Sequence, residues 1–401
     1  MPRTPPKDQD IDTPILESAK PSPTEMTDAR CLPEIRLIVN AFDELSAKSV
    51  FVVADTLAYR GSGAEAIVGP ILSRYRTTIF DRFEPNPKLA DVQEGIRQFQ
   101  QAPADVVLAV GGGTAIDIAK LVAAFSPQTH APRSIILREH PLVEPAVPLI
   151  AAPTTSGTGS EATQFAVVYV DGAKHSVDHP SLMPRWCVLD PALTAALPPR
   201  ITAHTGLDAL SQALESLWSV SSTRCSTEYA TEAVQLALQH LPEAVSQGTP
   251  TTRAAMSRAA HLAGRAINLT RTTAPHAISY TLTSDYGIPH GHAVALTLGA
   301  MLVYNSEVTD EDINDPRGVG HVRQTIEHIL KLLGCHTPQE GCLRIQQLIQ
   351  SLGCETRLSE LQITDQEALR SVAQKVNTER LSNNPRRLNG DQLLQLLESI
   401  R

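Results

Sequence analysis

The chain has no long apolar run, no C-x-x-C pair and no surplus of positive charge, and each absence excludes a class of protein. Its apolar runs stop far short of the roughly 20 residues that cross a bilayer, so no membrane-spanning helix is expected. The first residues lack the apolar core of a secretory signal. The six cysteines (Cys31, Cys187, Cys225, Cys335, Cys342 and Cys354) are scattered, which reads as free thiols of a reducing compartment and not as a disulfide framework. The cytoplasm is the expected location. Lys plus Arg number 34 against 43 Asp plus Glu, a formal charge of −9, which argues against a general nucleic-acid or membrane-surface role.

What is present is a soluble composition, 42% apolar and 19% charged, over 401 residues, enough for two domains. Residues 1–28 carry six prolines among charged and small polar residues and are expected to form a disordered tail. Residues 29–200 alternate helical periodicity, as at Glu34–Leu45 and Leu89–Gln100, with unbroken apolar strands, Ser49–Ala54, Asp105–Val110 and Val147–Ala152. That alternation predicts a parallel sheet covered on both faces. In residues 201–401 strand-like runs nearly vanish and Ala/Leu/Gln/Glu-rich segments predict helix almost throughout. The expected class is α/β plus all-α, with the boundary near 198–202.

Two loops, a lone carboxylate and a scattered set of metal-type side chains carry chemistry. A strand followed by Gly111-Gly112-Gly113-Thr114 and then a helix is a phosphate-binding arrangement: small residues let the backbone approach a diphosphate, and the helix start offers free N–H groups. The alternative is a plain tight turn. Pro153-Thr-Thr-Ser-Gly-Thr-Gly-Ser-Glu161 follows another strand and offers hydroxyls to ribose or phosphate. Asp55 ends an earlier strand, where a carboxylate accepts from an adenosine ribose and repels a 2′-phosphate, or else simply caps a helix. Asp208 and Gln212, four apart, share a helix face, and His276 and His290 complete a set able to hold a divalent cation, although sequence alone leaves their convergence open.

In combination and in this order, Gly111–Asp117, Pro153–Glu161, Gly206-Leu-Asp-Ala-Leu and Pro289-His-Gly-His-Ala-Val resemble the iron-containing (group III) alcohol dehydrogenases over about residues 32–395. The resemblance implies a dehydroquinate synthase-like fold: an N-terminal Rossmann-like nucleotide domain, a C-terminal helical domain and a metal site in the cleft between them. It implies interconversion of aldehydes and alcohols with a nicotinamide cofactor, and a dimer or larger assembly. Position by position, Gly111, Gly112, Gly113, Thr114 and Asp117 match the pyrophosphate loop and its helix. Thr154, Thr155 and Thr158 match the nucleotide-side hydroxyls, and Asp55 the position that favours NAD(H) over NADP(H). Asp208, His276 and His290 match three ligands of a divalent metal, Fe²⁺ first, with Zn²⁺ or Mn²⁺ as alternatives. Gln212 stands where the family usually carries a fourth ligand, His, and Tyr280 where many members carry a further His. His204, one turn before Asp208, is a substitute ligand or a solvent-facing residue. The N-terminal strand and turn usual in the family are poorly recognisable, which predicts a reduced or altered sheet edge.

Further segments, among them Asp81–Lys88, Ala266–Ala277 and Asn383-Asn-Pro-Arg386, resemble the family's phosphonoacetaldehyde reductase branch, in which Gln at the place of Gln212 is common. That implies reduction of a small aldehyde bearing a phosphonate. Lys174, Arg271 and Arg386 are the cations proposed for the anionic head group, Arg271 foremost. Competing readings are a reductase for another small aldehyde, a lyase or glycerol-phosphate dehydrogenase of the same fold, and a nucleotide-binding protein whose metal site has decayed.

Overall fold

The structure, a computed structural model, describes residues 29–376 and 381–401. The expected tail at 1–28 lies outside the described residues.

Six parallel strands form one sheet: β1 (Arg30–Leu32), β2 (Ser49–Ala54), β3 (Arg76–Phe80), β4 (Val106–Gly111), β5 (Leu149–Pro153) and β8 (Trp186–Val188), in the spatial order β1-β8-β5-β4-β2-β3. Strands β2 and β4 are buried at every position. Their side chains alternate between two cores: Phe51, Val53, Val107 and Ala109 face one, and Val50, Val52, Val106, Leu108 and Val110 the other. This is why both strands are apolar without interruption. The chain runs outward from β2 to β3 and then returns to the opposite side of β2 with β4. The reversal opens a crevice at the carboxyl ends of β2 and β4, the usual ligand position in such sheets. Asp55 follows one of these ends and Gly112 the other.

Two departures from expectation stand out. The segment at Glu34–Leu45 enters through a 3₁₀ turn, Ile35–Leu37, before helix α1 (Ile38–Glu44). A separate antiparallel hairpin, β6 (Phe165–Val170) and β7 (Ala173–Asp178), turns at Asp171 and Gly172, both at positive φ. The reduced sheet edge is the three-residue β1, paired with β8.

Beyond β8 the described structure is helical. Helix α7 (Pro199–Trp218) is buried at every position from Gly206 to Trp218 and forms the axis of this half. Around it lie α8 (Arg224–Ser246), α9 (Pro250–Thr270) and α11 (His290–Ser306), with α10 (Ala274–Tyr286) packed on α11. Among the described residues no helix is long and apolar enough to cross a membrane.

Candidate active site

A cavity of about 740 Å³ lies between the sheet and the helices, walled by Gly113, Thr114 and Thr158 on one side and by Asp208, Gln212, His276 and His290 on the other.

The side expected to take the nucleotide is built at the ends of β4 and β5. Helix α5 (Gly113–Phe125) starts at Gly112 with no side-chain cap, so its first N–H groups are available to an anion. A Cβ on Gly113 would lie 3.0 Å from Thr158 Oγ1 and closer still to its methyl, which is the physical reason for glycine there. Thr155 lies against Gly112, its Oγ1 3.5 Å from where a Cβ would stand. The Thr154 N–H donates to the Gly111 carbonyl at 3.0 Å, while its buried hydroxyl has no partner. Thr114 Oγ1 accepts from the Asn86 N–H at 3.3 Å. Asp55 Oδ1 caps α2 (Thr56–Gly61) by accepting from the Ala58 N–H at 3.0 Å, so the capping alternative is realised, and Asp55 is not part of the cavity wall. Asp117 lines the cavity with both oxygens engaged: Oδ1 accepts from Ser160 Oγ at 2.6 Å and Oδ2 from the Val167 N–H at 3.0 Å. It fastens the second loop and the hairpin to α5.

The ligand side converges. One donor atom each from Asp208, His276 and His290 lies within 4.8 Å of the others. Asp208 Oδ1 is 3.4 Å from His276 Nε2 and 3.9 Å from His290 Nε2. Burial, which would raise the Asp208 pKa, is outweighed by the facing imidazoles, and the carboxyl is held below its ordinary value. Burial pulls His290 down to about 3, a neutral imidazole with a free lone pair. Burial also opposes charge on His276, but the carboxylates of Glu215 and Asp208 override it and raise its pKa to about 9, so a cation that binds at Nε2 must first displace a proton from it.

Gln212 lines the same cavity. Its Nε2 donates to the Thr158 carbonyl at 3.4 Å, which fixes the amide so that Oε1 points away from that carbonyl. Gln212 Oε1 and Asp208 Oδ1 are both buried without a hydrogen-bond partner. The Asp208 oxygen, buried between two imidazole nitrogens with no hydrogen bond of good geometry, is costly unless a cation joins them, so Asp208, His276 and His290 fit a divalent metal of the N/O-binding class. His204 is no substitute ligand: its ring stacks on His292 with centroids 5.8 Å apart, and both lie with Cys354 in a separate cluster.

Glu215 was not foreseen. It is fully buried, accepts from His276 Nδ1, and accepts from the Thr273 N–H at 2.6 Å and Thr273 Oγ1 at 2.8 Å. A carboxylate behind a histidine fixes the tautomer and presents Nε2 as the donor. The signal was available, since positions 208, 212 and 215 follow the i, i+4, i+7 stripe of a helix. Lys120 was also missed. Its buried ammonium donates to the carbonyls of Thr163 and Phe165 at 2.7 and 2.8 Å and to Thr163 Oγ1 at 2.9 Å, and burial lowers its pKa to about 8.

Of the three proposed head-group cations, two line the cavity. Lys174, on β7, stands 3.7 Å from the centroid of the Tyr280 ring, which stacks on His290 at 6.0 Å. Arg271 caps α9 at φ 62°, pairs with Asp178 and lies over Phe165. Arg386 is a correction. It is not part of the cavity wall; its guanidinium donates to Asp312 Oδ2 and the Tyr304 carbonyl at 2.7 and 2.8 Å and pairs with Glu307. Arg138, also at positive φ, lines the cavity instead.

Residues 34–191 match the family description "iron-containing alcohol dehydrogenase", and residues 202–401 match "Fe-containing alcohol dehydrogenase family, C-terminal". A phosphonoacetaldehyde reductase from Streptomyces viridochromogenes is 40% identical over 313 residues, 75% of this chain and 77% of that one. The 1-propanol dehydrogenase PduQ of Citrobacter freundii is 34% identical over 271 residues, 67% of this chain and 70% of that one. Among solved structures, sulfoacetaldehyde reductase from Bifidobacterium kashiwanohense in complex with NAD⁺ superposes with a TM-score of 0.83 at 27% identity, covering 93% of this chain and 96% of that one.

Proposed function

The chain belongs to the iron-containing alcohol dehydrogenases, a family of NAD(P)-dependent oxidoreductases of alcohols and aldehydes, and from that premise we propose that it reduces phosphonoacetaldehyde to 2-hydroxyethylphosphonate with NADH in the cytoplasm, as a homodimer. The observation that carries the substrate is that Lys174 and Arg271 line the same cavity as the four ligand residues. The names of two relatives point the same way: each reduces an acetaldehyde bearing an acidic substituent.

In this reading Asp208, Gln212 through its amide oxygen, His276 and His290 hold Fe²⁺. When bound, the cation supplies Lewis acidity toward the carbonyl oxygen, and the nicotinamide supplies hydride. The protein does the rest by placement. The start of α5 and the Thr158 loop receive the diphosphate, and Asp55 receives the ribose and disfavours NADPH. Lys174 and Arg271 take the dianionic head group and set the distance from it to the carbonyl carbon. The buried walls around Gln212 and His276 exclude water from the reacting end.

The test compares phosphonoacetaldehyde with propanal, an uncharged aldehyde, in metal-reconstituted wild type, Lys174→Met and Arg271→Ala. A charge-assisted bond contributes about 1.5–3 kcal/mol, so each variant should lose about 10–100-fold in kcat/KM on the phosphonate. Little should be lost on propanal. Equal losses on both aldehydes would remove the head-group assignment and leave a general aldehyde reductase. Reconstitution with Fe²⁺, Zn²⁺ or Mn²⁺ and assay with NADH and NADPH decide the metal and the nucleotide.

A further inference from the structure

We propose that Cys31, Cys187 and His261 form a second cation site, suited to a thiophilic divalent ion of the zinc type, remote in composition from the Asp208 set and devoted to holding the sheet edge against the helices. Cys31 and Cys187 are directly opposed in register on β1 and β8, and their sulfurs lie 3.3 Å apart. Helix α9 brings His261 Nε2 to 3.6 Å from Cys31 Sγ, and the three donor atoms all lie within 4.8 Å of one another. The other ring nitrogen of His261, Nδ1, faces Glu161 Oε1 at 3.3 Å. This is the same carboxylate-behind-histidine arrangement that Glu215 provides for His276, and it presents Nε2 to the sulfurs as a donor.

The sulfur–nitrogen distance of 3.6 Å suits a tetrahedral ion, and the two sulfurs, at 3.3 Å, need to part by about 0.5 Å to take one. With Zn–S near 2.3 Å and Zn–N near 2.0–2.1 Å, tetrahedral angles put two sulfurs about 3.8 Å apart and a sulfur and a nitrogen about 3.5 Å apart. Two thiolates and an imidazole favour zinc over magnesium or calcium. Of the three ligands Cys187 and His261 are buried and Cys31 is exposed, so the fourth corner opens to water on the side of Cys31. A Cys31–Cys187 disulfide is the rival use of this pair. It would need the sulfurs to close to about 2.05 Å and would leave the imidazole and its carboxylate without a role.

The site would reach the nucleotide loop. Glu161 lies in the 3₁₀ turn Ser160–Ala162, directly after Thr158 and Gly159. Gly159, at φ 61°, packs so closely on α9 that a Cβ there would stand 2.5 Å from Gly264 Cα. A cation joining β1, β8 and α9 therefore fixes the ground on which that loop rests.

The catalytic ligand set contains no sulfur, which makes the test specific. The full chain, kept reduced, is stripped of metal and loaded with Co²⁺. Wild type should bind two cations and show near-ultraviolet thiolate-to-cobalt charge transfer. Cys31→Ser and His261→Gln should each lose one cation and, with it, the band. Asp208→Ala should lose the other cation and keep the band, and Cys354→Ser should keep both. Thermal melting of zinc-loaded against stripped Asp208→Ala reads the clamp without the catalytic site, and should show a higher Tm with zinc. A single cation per wild-type chain with no thiolate band overturns the proposal, as does a band that survives in a Cys31→Ser, Cys187→Ser double variant. Either outcome leaves the aldehyde reductase reading untouched.

Discussion

Replacing Glu215 with glutamine exchanges one carboxylate oxygen for an amide nitrogen and keeps the shape of a fully buried side chain. The wild-type carboxylate accepts three hydrogen bonds, two from Thr273 on Oε2 and one from His276 Nδ1 on Oε1. A glutamine can keep its oxygen on the two Thr273 donors only by turning its NH₂ toward His276 Nδ1. Donor then faces donor, and the imidazole relieves the clash by moving its proton to Nε2, the atom 3.4 Å from Asp208 Oδ1. That removes the lone pair the cation needs. Loss of such a supporting partner costs about 10–100-fold in metal affinity, or about 1.4–2.7 kcal/mol. The assay is chelator competition for Fe²⁺ or Zn²⁺ at fixed pH, with circular dichroism to confirm the fold. Affinity within twofold of wild type in a folded Glu215→Gln protein would refute the tautomer argument, and with it the view that Glu215 prepares His276 for a metal.

Three further outcomes follow from the same geometry. Gln212→Ala should weaken metal binding about tenfold or more, and Gln212→His should strengthen it, since imidazole is the better donor; unchanged affinity in both would show that the amide oxygen does not ligate. Gly291→Ala places a Cβ 2.0 Å from the His204 carbonyl oxygen and 2.8 Å from Asp208 Cβ, so thermal or urea unfolding should reveal a loss on the order of 1–3 kcal/mol or more. Lys120 titrates at about 8 when folded and near 10.5 otherwise, so the unfolded chain binds more protons between these values; its contribution is fully present above about pH 10.5 and is lost as pH falls through about 8, and the stability of wild type relative to Lys120→Met should rise across that window.

Local pattern accounts for what was legible in the sequence. Strands β2 and β4 announce themselves because both of their faces are buried, and the glycines of 111–113 because they interrupt an apolar run at a helix start. Asp208 and Gln212 were placed together by helical spacing alone. The same spacing put His204 on that stripe, yet its ring goes to His292, because Gly291 lets α11 press onto the α7 backbone at that level. No pattern placed His276 on a helix: Thr273 spends its hydroxyl on Glu215 instead of capping α10, and a proline follows two residues on. Arg386 was chosen by motif and is claimed by Asp312, a contact 74 residues away that no local reading reveals. Cys31, Cys187 and His261 meet only because the sheet order sets its first strand beside its last.

The crowding around Gly291 bears on how such a site changes over generations. Asp208 is wedged by the turn that starts α11, and His276 is braced by Glu215, so altering either means rebuilding a neighbour as well. Gln212 is held by one long bond to a main-chain carbonyl and by its neighbour Asp208, while its Oε1 has no hydrogen-bond partner among the described residues. Natural drift and laboratory selection alike should therefore change position 212 first, one codon at a time, while the rest of the constellation stays fixed.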